Sequence, residues 1–258
     1  MTSKQAILNL YKRAGETPLE CLKRFQDANP EYKNEKMTYA GRLDPLASGV
    51  LLILVGEECK SKDKYLGLDK EYELEVLFGV ATDTQDVLGL IKSVARPGLA
   101  IGESLMEESL SKLIGKFIQD YPAYSSKTVK GKSLFSISRA GETDSVEDWP
   151  TKEVEIYSIE SLGWQEKKST EIQEEISEKI KCVTGDFRQA EISAGWDKHF
   201  KTTNLPNYSI LKLKVVCSSG AYMRSLAERI GKEFDQSALA YNIVRSRLGS
   251  YKIEDSLK

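Results

Sequence analysis

Hydrophobic periodicity predicts several strands along the chain. Large apolar side chains alternate with glutamates over residues 71–78 and with lysines over residues 211–217, which is the period of a strand with one buried face. A continuous apolar run at residues 49–55 predicts a strand buried on both faces. A further strand is predicted over residues 154–162.

Helices are predicted between these strands. Thr17, followed by Pro18 and Glu20, has the pattern of a helix start, with threonine at the N-cap and glutamate closing a capping box. The charged stretch 166–181 has isoleucines at i, i+4 and i+8, which predicts a surface helix, and Asp186 is a candidate cap for another helix after it. Because strands and helices mix without regular alternation, we expect an α+β fold around a largely antiparallel central sheet.

Length and composition fit one globular domain without a membrane anchor. The chain has 258 residues, and its longest apolar run is far shorter than the roughly 20 residues of a membrane span. The N-terminus lacks the apolar stretch of a signal peptide, so we expect a cytoplasmic protein that does not bind membranes. Its four cysteines and single histidine lack the short spacings of a zinc site, so we expect no metal.

Charge is distributed unevenly along the chain. The net charge is only −2, but residues 121–141 contain four cations and no acid: Lys127, Lys130, Lys132 and Arg139. Nucleic acid binding requires only a local basic surface, so RNA remains a possible partner.

The most informative stretch surrounds one carboxylate. Asp44 lies between Gly41 and Gly49, directly before the buried run, and Pro45 biases it towards extended backbone. A loop at the end of a rigid sheet can present such a side chain to a substrate. The same spacing also fits an aspartate that merely starts a turn.

Residues 41–49, Gly-Arg-Leu-Asp-Pro-Leu-Ala-Ser-Gly, closely resemble the catalytic motif of the TruB family, the bacterial tRNA pseudouridine-55 synthases. Further segments resemble motifs of that family in the same order: residues 55–60 with 70–72, 82–89, 121–132, 217–226 and 245–249. The resemblance covers roughly residues 5–160 and 208–256. It implies the pseudouridine synthase fold, in which helices and loops flank the central sheet around an RNA-binding cleft.

The resemblance implies the roles of three catalytic residues. Asp44 is the essential carboxylate in a reaction that detaches uracil from C1′ of its ribose, rotates it and rejoins it through C5. Arg224 is its ion-pair partner, which keeps it charged in a site that excludes water. Tyr72 stacks on the base and assists transfer of the C5 proton. Neither metal nor cofactor is implied, and attack at C1′ and assisted loss of the base both remain open for Asp44.

The resemblance also implies substrate-binding residues. Tyr222 and Ile243 match positions that line the uracil pocket, although ordinary core packing would also explain them. Residues 120–145 match an RNA-gripping loop, for which the alternative is a solvated basic loop. The candidate contacts in this loop are Lys127, Lys130 and Lys132. A stacked uridine must be flipped out of the RNA before it can react.

The chain departs from the family pattern in several places. Tyr39 stands where the family usually has a histidine that helps to fill the space of the flipped base, and we expect tyrosine to substitute for it. Lys12-Arg13 replaces a Lys-Pro pair. Residues 165–206 look inserted, either as a surface elaboration or as an RNA-contacting element. The C-terminal PUA domain of bacterial members is not expected, so residues 1–258 should form a single catalytic domain.

The leading hypothesis is therefore a monomeric tRNA pseudouridine synthase that acts on uridine 55 in the T arm. One alternative is a synthase for another tRNA or rRNA uridine. The other is a non-catalytic RNA-binding protein that acts as a folding chaperone.

Overall fold

The computed structural model describes residues 4–94, 103–203 and 205–258, with side chains from residue 106 onward in the second range. The strands are β1 Ile7–Lys12, β2 Met37–Ala40, β3 Ser48–Val55, β4 Lys70–Phe78, β5 Val80–Thr82, β6 Ile91–Val94, β7 Gly115–Asp120, β8 Thr128–Val129, β9 Lys132–Ser133, β10 Thr151–Lys168, β11 Asn207–Cys217, β12 Ala238–Leu248 and β13 Tyr251–Lys252. The helices are α1 Pro18–Ala28, α2 Lys62–Leu66, α3 Glu103–Ser111, α4 Leu134–Arg139, α5 Ser169–Cys182, α6 Gln189–Thr202 and α7 Met223–Glu233.

A nine-stranded sheet organises the described residues. Its order is β1-β3-β12-β4-β11-β10-β7, with β2 beside β3 and β13 beside β12. The pairing of β12 with β3 is parallel, and the other pairings along this sheet are antiparallel. The predicted α+β class with a largely antiparallel sheet is therefore confirmed.

The apolar run forms the buried strand β3. All eight of its residues are buried, because Leu51 and Ile53 face a core cluster that includes α1, while Leu52 and Leu54 face a second cluster on the other side. The predicted capping box at the start of α1 is confirmed: Glu20 N–H donates to Thr17 Oγ1 at 3.3 Å, and Thr17 N–H donates to Glu20 Oε2 at 2.6 Å.

The central strand β4 contributes to two core clusters. Leu74 and Val76 pack on the side that α3 and α7 cover. Leu77 packs instead against Ile172 and Ile176 of α5, in a cluster that α6 also joins. The isoleucine spacing thus predicted the buried face of α5 correctly.

Two boundaries near α5 and α6 differ from those predicted. Residues 166–168 belong to β10 rather than to the helix, because they pair with residues 207–209 of β11. Asp186 does not cap α6, which begins at Gln189 after Arg188 in the left-handed conformation. The Asp186 carboxylate instead pairs with Arg139, a long-range contact. In the described ranges, no helix has the length and apolarity of a bilayer span.

Candidate active site

The Asp44 loop connects β2 to β3. Gly41 and Gly49 have φ angles of 84° and 106°, which glycine adopts without strain. A Cβ atom at Gly49 would collide with the backbone of Arg245, at the point where β3 and β12 pair in parallel. Ala47 N–H donates to the Asp44 carbonyl oxygen at 3.1 Å. The loop leaves the Asp44 side chain 35% exposed.

Lys12 stabilises this loop by hydrogen bonds from its buried side. Its side chain is fully buried at the end of β1, and Nζ donates to the carbonyl oxygens of Arg13 at 3.0 Å, Pro45 at 3.1 Å and Ala47 at 2.7 Å. Burial lowers the pKa of Lys12 to about 8, although the charges of Glu16 and Asp44 oppose this shift. No role for Lys12 follows from the sequence alone. Its position on the buried side of an alternating strand was the available signal.

Arg224, in the first turn of α7, contacts both oxygens of the Asp44 carboxylate. Nε lies 2.8 Å from Oδ2 and Nη2 lies 3.2 Å from Oδ1. The guanidinium also donates to the carbonyl oxygens of Thr84 at 2.7 Å and Tyr124 at 3.2 Å, and the side chain is only 3% exposed. Burial lowers the pKa of Arg224, but the charges of Asp44 and Asp86 outweigh burial and raise it overall. Arg224 is therefore a permanent cation beside Asp44.

Asp86 places a second carboxylate near Arg224. Its Oδ2 lies 4.0 Å from Arg224 Nε, while Oδ1 accepts from Thr84 Oγ1 at 2.7 Å and from Leu88 N–H at 2.9 Å. Burial raises the pKa of Asp86 to about 6, Arg224 opposes this shift, and the charge of Asp44 adds to it. Asp86 stands in a segment that resembles a family motif, but its sequence position implies no role.

Asp44 and Arg224 line a cavity of about 100 Å³. The side chains around it come from the Asp44 loop, the segment after β5, α7, the 120–145 loop and the chain between α5 and α6. They are Asp44, Pro45, Thr84, Asp86, Leu88, Tyr124, Phe135, Arg139, Phe187, Arg188 and Arg224. In the described part of the chain, no group of three histidine, cysteine, aspartate or glutamate side chains is arranged to hold a metal ion.

Tyr72, Tyr222 and Ile243 lie outside the lining of this cavity. Tyr72 and Ile243 are buried in the core cluster under α7, and Ile243 pairs with Leu74 across the sheet. Burial raises the pKa of Tyr72 to about 12 and that of Tyr222 to about 12, and the charge of Asp44 contributes to both shifts. Both tyrosines are thus within electrostatic range of Asp44 and carry protonated hydroxyls at neutral pH.

Arg245 is a second buried arginine near the Asp44 loop, and no role for it follows from the sequence alone. It is 1% exposed and lies opposite Tyr72 in the pairing of β12 with β4. Nε donates to the Val50 carbonyl oxygen at 2.8 Å and Nη1 to that of Arg42 at 3.2 Å. Nη2 is buried and has no hydrogen-bond partner among the described residues.

The basic loop forms a small hairpin. β8 and β9 are joined by Lys130-Gly131, both with positive φ, as in a tight two-residue turn. Lys130 lies at this tip, Lys127 Nζ is 5.1 Å from the centre of the Tyr121 ring, and Lys132 Nζ is 3.2 Å from Glu142 Oε2. The loop also contributes Tyr124, Phe135 and Arg139 to the cavity.

Tyr39 is not among the residues that line the cavity with Asp44. Its ring packs against the core cluster beneath α1. Lys62 Nζ and the guanidinium carbon of Arg42 lie 5.4 Å and 5.9 Å from the ring centre. Its role with the flipped base stays a prediction.

Comparison with known proteins relates the whole chain to one family. The model of the TruB family pseudouridylate synthase N-terminal domain matches residues 30–188. The chain is 32% identical over 254 residues to tRNA pseudouridine synthase B of Trichormus variabilis, covering 98% of this chain and 70% of that protein. The protein of the same name from Nostoc sp. is 30% identical over 254 residues, with the same coverage.

Solved structures with low sequence identity share the fold. A Cbf5-Nop10-Gar1 complex contains a chain that aligns with a TM-score of 0.57 and 19% identity, covering 95% of this chain and 49% of the other. An H/ACA RNP bound to a substrate RNA contains one with a TM-score of 0.54 and 17% identity, covering 95% and 48%. The chain thus spans about half the length of these structural neighbours. Together with the family match and the sequence relatives, the motif around Asp44 shows that the chain belongs to the TruB family of pseudouridylate synthases.

Proposed function

We propose that the chain is a tRNA pseudouridine synthase that isomerises uridine 55 in the T arm, with Asp44 as the catalytic carboxylate. The observation that carries this proposal is the contact of Arg224 with both Asp44 oxygens at the edge of a cavity. Arg224 holds the Asp44 carboxylate in a fixed orientation, and a carboxylate can assist departure of a base from a sugar C1′. The relatives named tRNA pseudouridine synthase B support tRNA as the substrate.

The proposed reaction exchanges one bond of uracil for another. The C1′–N1 bond breaks, with Asp44 either attacking C1′ or assisting loss of the base, and uracil rotates before C5 bonds to C1′. C5 then loses its proton and N1 gains one, so the isomerisation needs no net oxidation. Burial raises the pKa of Tyr72 to about 12. This residue therefore offers a neutral hydroxyl that can relay the C5 proton but is a poor base.

The target uridine must be flipped out of the RNA base stack before this reaction can begin. Extrusion costs a few kcal/mol, and one aromatic stack returns about 1–3 kcal/mol. The basic hairpin around Lys130 supplies cations for phosphate contacts at the rim of the same loop that lines the cavity. We further propose that the protein acts as a cytoplasmic monomer without metal or cofactor.

The decisive experiment compares wild-type protein with Asp44→Asn on unmodified tRNA transcripts, followed by chemical mapping of pseudouridine. Wild type should modify position 55 and the variant should not, because the amide cannot supply the negative charge. Asp27→Asn, at an exposed position of α1, is the matched control and should keep full activity. A transcript with cytidine at position 55 should remain unmodified.

The same assay tests the alternatives. Wild-type modification at another uridine, lost in Asp44→Asn, would contradict position 55 as the target and support a different RNA site. RNA binding with no pseudouridine at any position would contradict the enzyme proposal and favour an RNA chaperone.

A further inference from the structure

The segment between α5 and α6 forms part of the active-site cavity. Phe187 and Arg188, from this segment, line the same cavity as Asp44. The segment is anchored on both sides, because Ile176 of α5 and Trp196 of α6 are buried in the same core cluster. Its position beside Asp44 is therefore set by the packing of two helices on the sheet.

The Arg188 side chain is held in a defined orientation. Nη2 lies 2.9 Å from Asp83 Oδ2, and the guanidinium carbon lies 4.7 Å from the centre of the Tyr124 ring. Its backbone has a φ of 63°, and its N–H donates to Asp186 Oδ1 at 3.2 Å. Although burial opposes it, the Asp83 carboxylate raises the pKa of Arg188, so the side chain stays charged.

The three arginines that line the cavity differ in their solvent exposure and in their hydrogen-bond partners. Arg224 is 3% exposed and donates to Asp44 and to two carbonyl oxygens. Arg139 pairs with Asp186 through Nη1 and Nη2. Arg188 is 18% exposed, which is less than the 36% of Arg139.

The counter-ion of Arg188 is shared with other donors. Asp83 also accepts from Leu90 N–H at 2.7 Å and from the Tyr124 hydroxyl at 2.8 Å. A guanidinium has five N–H donors in a planar fork, so the contact of one nitrogen with Asp83 leaves capacity for a second anion.

From this arrangement we infer that Arg188 binds a backbone phosphate of the RNA next to the flipped uridine. The inference rests on the proposed function. A flipped nucleotide brings its flanking phosphates to the rim of the cavity, and the planar fork of arginine matches phosphate geometry. Segment 165–206 is then an RNA-contacting element as well as a cover for the sheet, and Arg188 is the side chain through which it acts.

The test measures equilibrium binding of unmodified tRNA over a range of salt concentrations. Arg188→Gln should weaken binding about tenfold and reduce the slope of log K against log salt by about 0.7–0.9, the loss of one phosphate contact. Arg188→Lys should recover part of the affinity and most of the slope. Lys198→Gln, at an exposed position of α6, removes an equal charge about 15 Å along the helix axis from Arg188 and should change neither.

The Asp83→Asn variant tests whether Arg188 contacts RNA or only has a structural role. If Arg188 contacts phosphate, removing its counter-ion should leave affinity equal or higher; if Arg188 only ties its segment to Asp83, both variants should weaken binding alike. Equal losses in Asp83→Asn and Arg188→Gln, or an unchanged salt slope in Arg188→Gln, would overturn the inference. Binding is compared where circular dichroism reports each variant folded. The inference can fail while wild type still forms pseudouridine, whereas failure of the proposed function would abolish the wild-type product itself.

Discussion

At the scale of single residues, Arg224 and Asp44 form an ion pair that joins a buried side chain to a partly exposed one. Arg224 is almost fully buried and cannot lose its proton, so its charge must be compensated inside the protein. Asp44 is partly exposed and supplies that compensation from the rim of the cavity. Arg224 thus fixes the orientation of a carboxylate that lines the cavity.

Replacing Arg224 by alanine should abolish pseudouridine formation and destabilise the fold. Loss of one partner from a fully buried ion pair costs about 3–5 kcal/mol. The cost here should be smaller because Asp44 is 35% exposed, although buried Asp86 would also lose its contact with Arg224. Urea unfolding and the tRNA modification assay measure the two effects. Arg224→Lys keeps the charge without the two-nitrogen contact, and should recover more stability than activity. A fully active and equally stable Arg224→Ala protein would contradict the pairing.

Asp86 should give the protein a distinctive pH dependence. Its pKa is about 6 in the folded protein against an ordinary 3.8, so between these values the folded state holds a proton that the unfolded chain has released. Stability from this group is therefore fully present below about pH 4 and is lost as the pH rises through about 6, by up to roughly 3 kcal/mol.

Asp86→Asn removes this titration and should flatten the stability profile relative to wild type between pH 4 and 6. Urea unfolding at intervals across that range measures the difference. Asp63→Asn, at an exposed position of α2, is the control and should follow wild type. An identical slope in Asp86→Asn and wild type would mean that Asp86 does not titrate in this window.

At the scale of elements, the β8–β9 hairpin is the candidate RNA-binding element. Its tip holds Lys130, and Lys132 meets Glu142 only in an exposed ion pair, which is worth less than about 1 kcal/mol. RNA phosphates can therefore displace that contact at little cost.

Charge reversal at both positions, Lys130→Glu with Lys132→Glu, should weaken tRNA binding and flatten its salt dependence. Losing two phosphate contacts should reduce the slope by about 1.4–1.8. Lys112→Glu, an exposed lysine just after α3, is the matched control for a reversed charge. Unchanged affinity in the double variant would remove the hairpin from the RNA-binding surface.

Elements were predictable where local chemistry determines them. The capping box at Thr17 and the apolar strand β3 follow from neighbouring residues. The start of α5 did not, because pairing with β11 extends β10 to Lys168. Asp186 likewise looked like a helix cap, but Arg139, 47 residues earlier, binds its carboxylate. Both errors come from contacts between residues distant in sequence.

At the scale of the whole molecule, family resemblance located the candidate site better than periodicity could. It singled out Asp44 and Arg224, which are 180 residues apart and which the fold brings into contact. Lys12 and Arg245 could not be assigned in this way. Their side chains matter because strands from opposite ends of the chain bury them beside one loop.

The position of β12 in the sheet determines when the candidate site can assemble during folding. This strand lies between β3 and β4, so the hydrogen-bonded ladder from the N-terminal strands to the rest of the sheet passes through it. Arg245, on the same strand, completes the support of the Asp44 loop. A nascent chain still waiting for this strand to emerge from the ribosome would already contain Asp44 and Arg224, yet would lack the scaffold that brings them together. The candidate site would therefore be assembled only after β12 has joined β3 and β4.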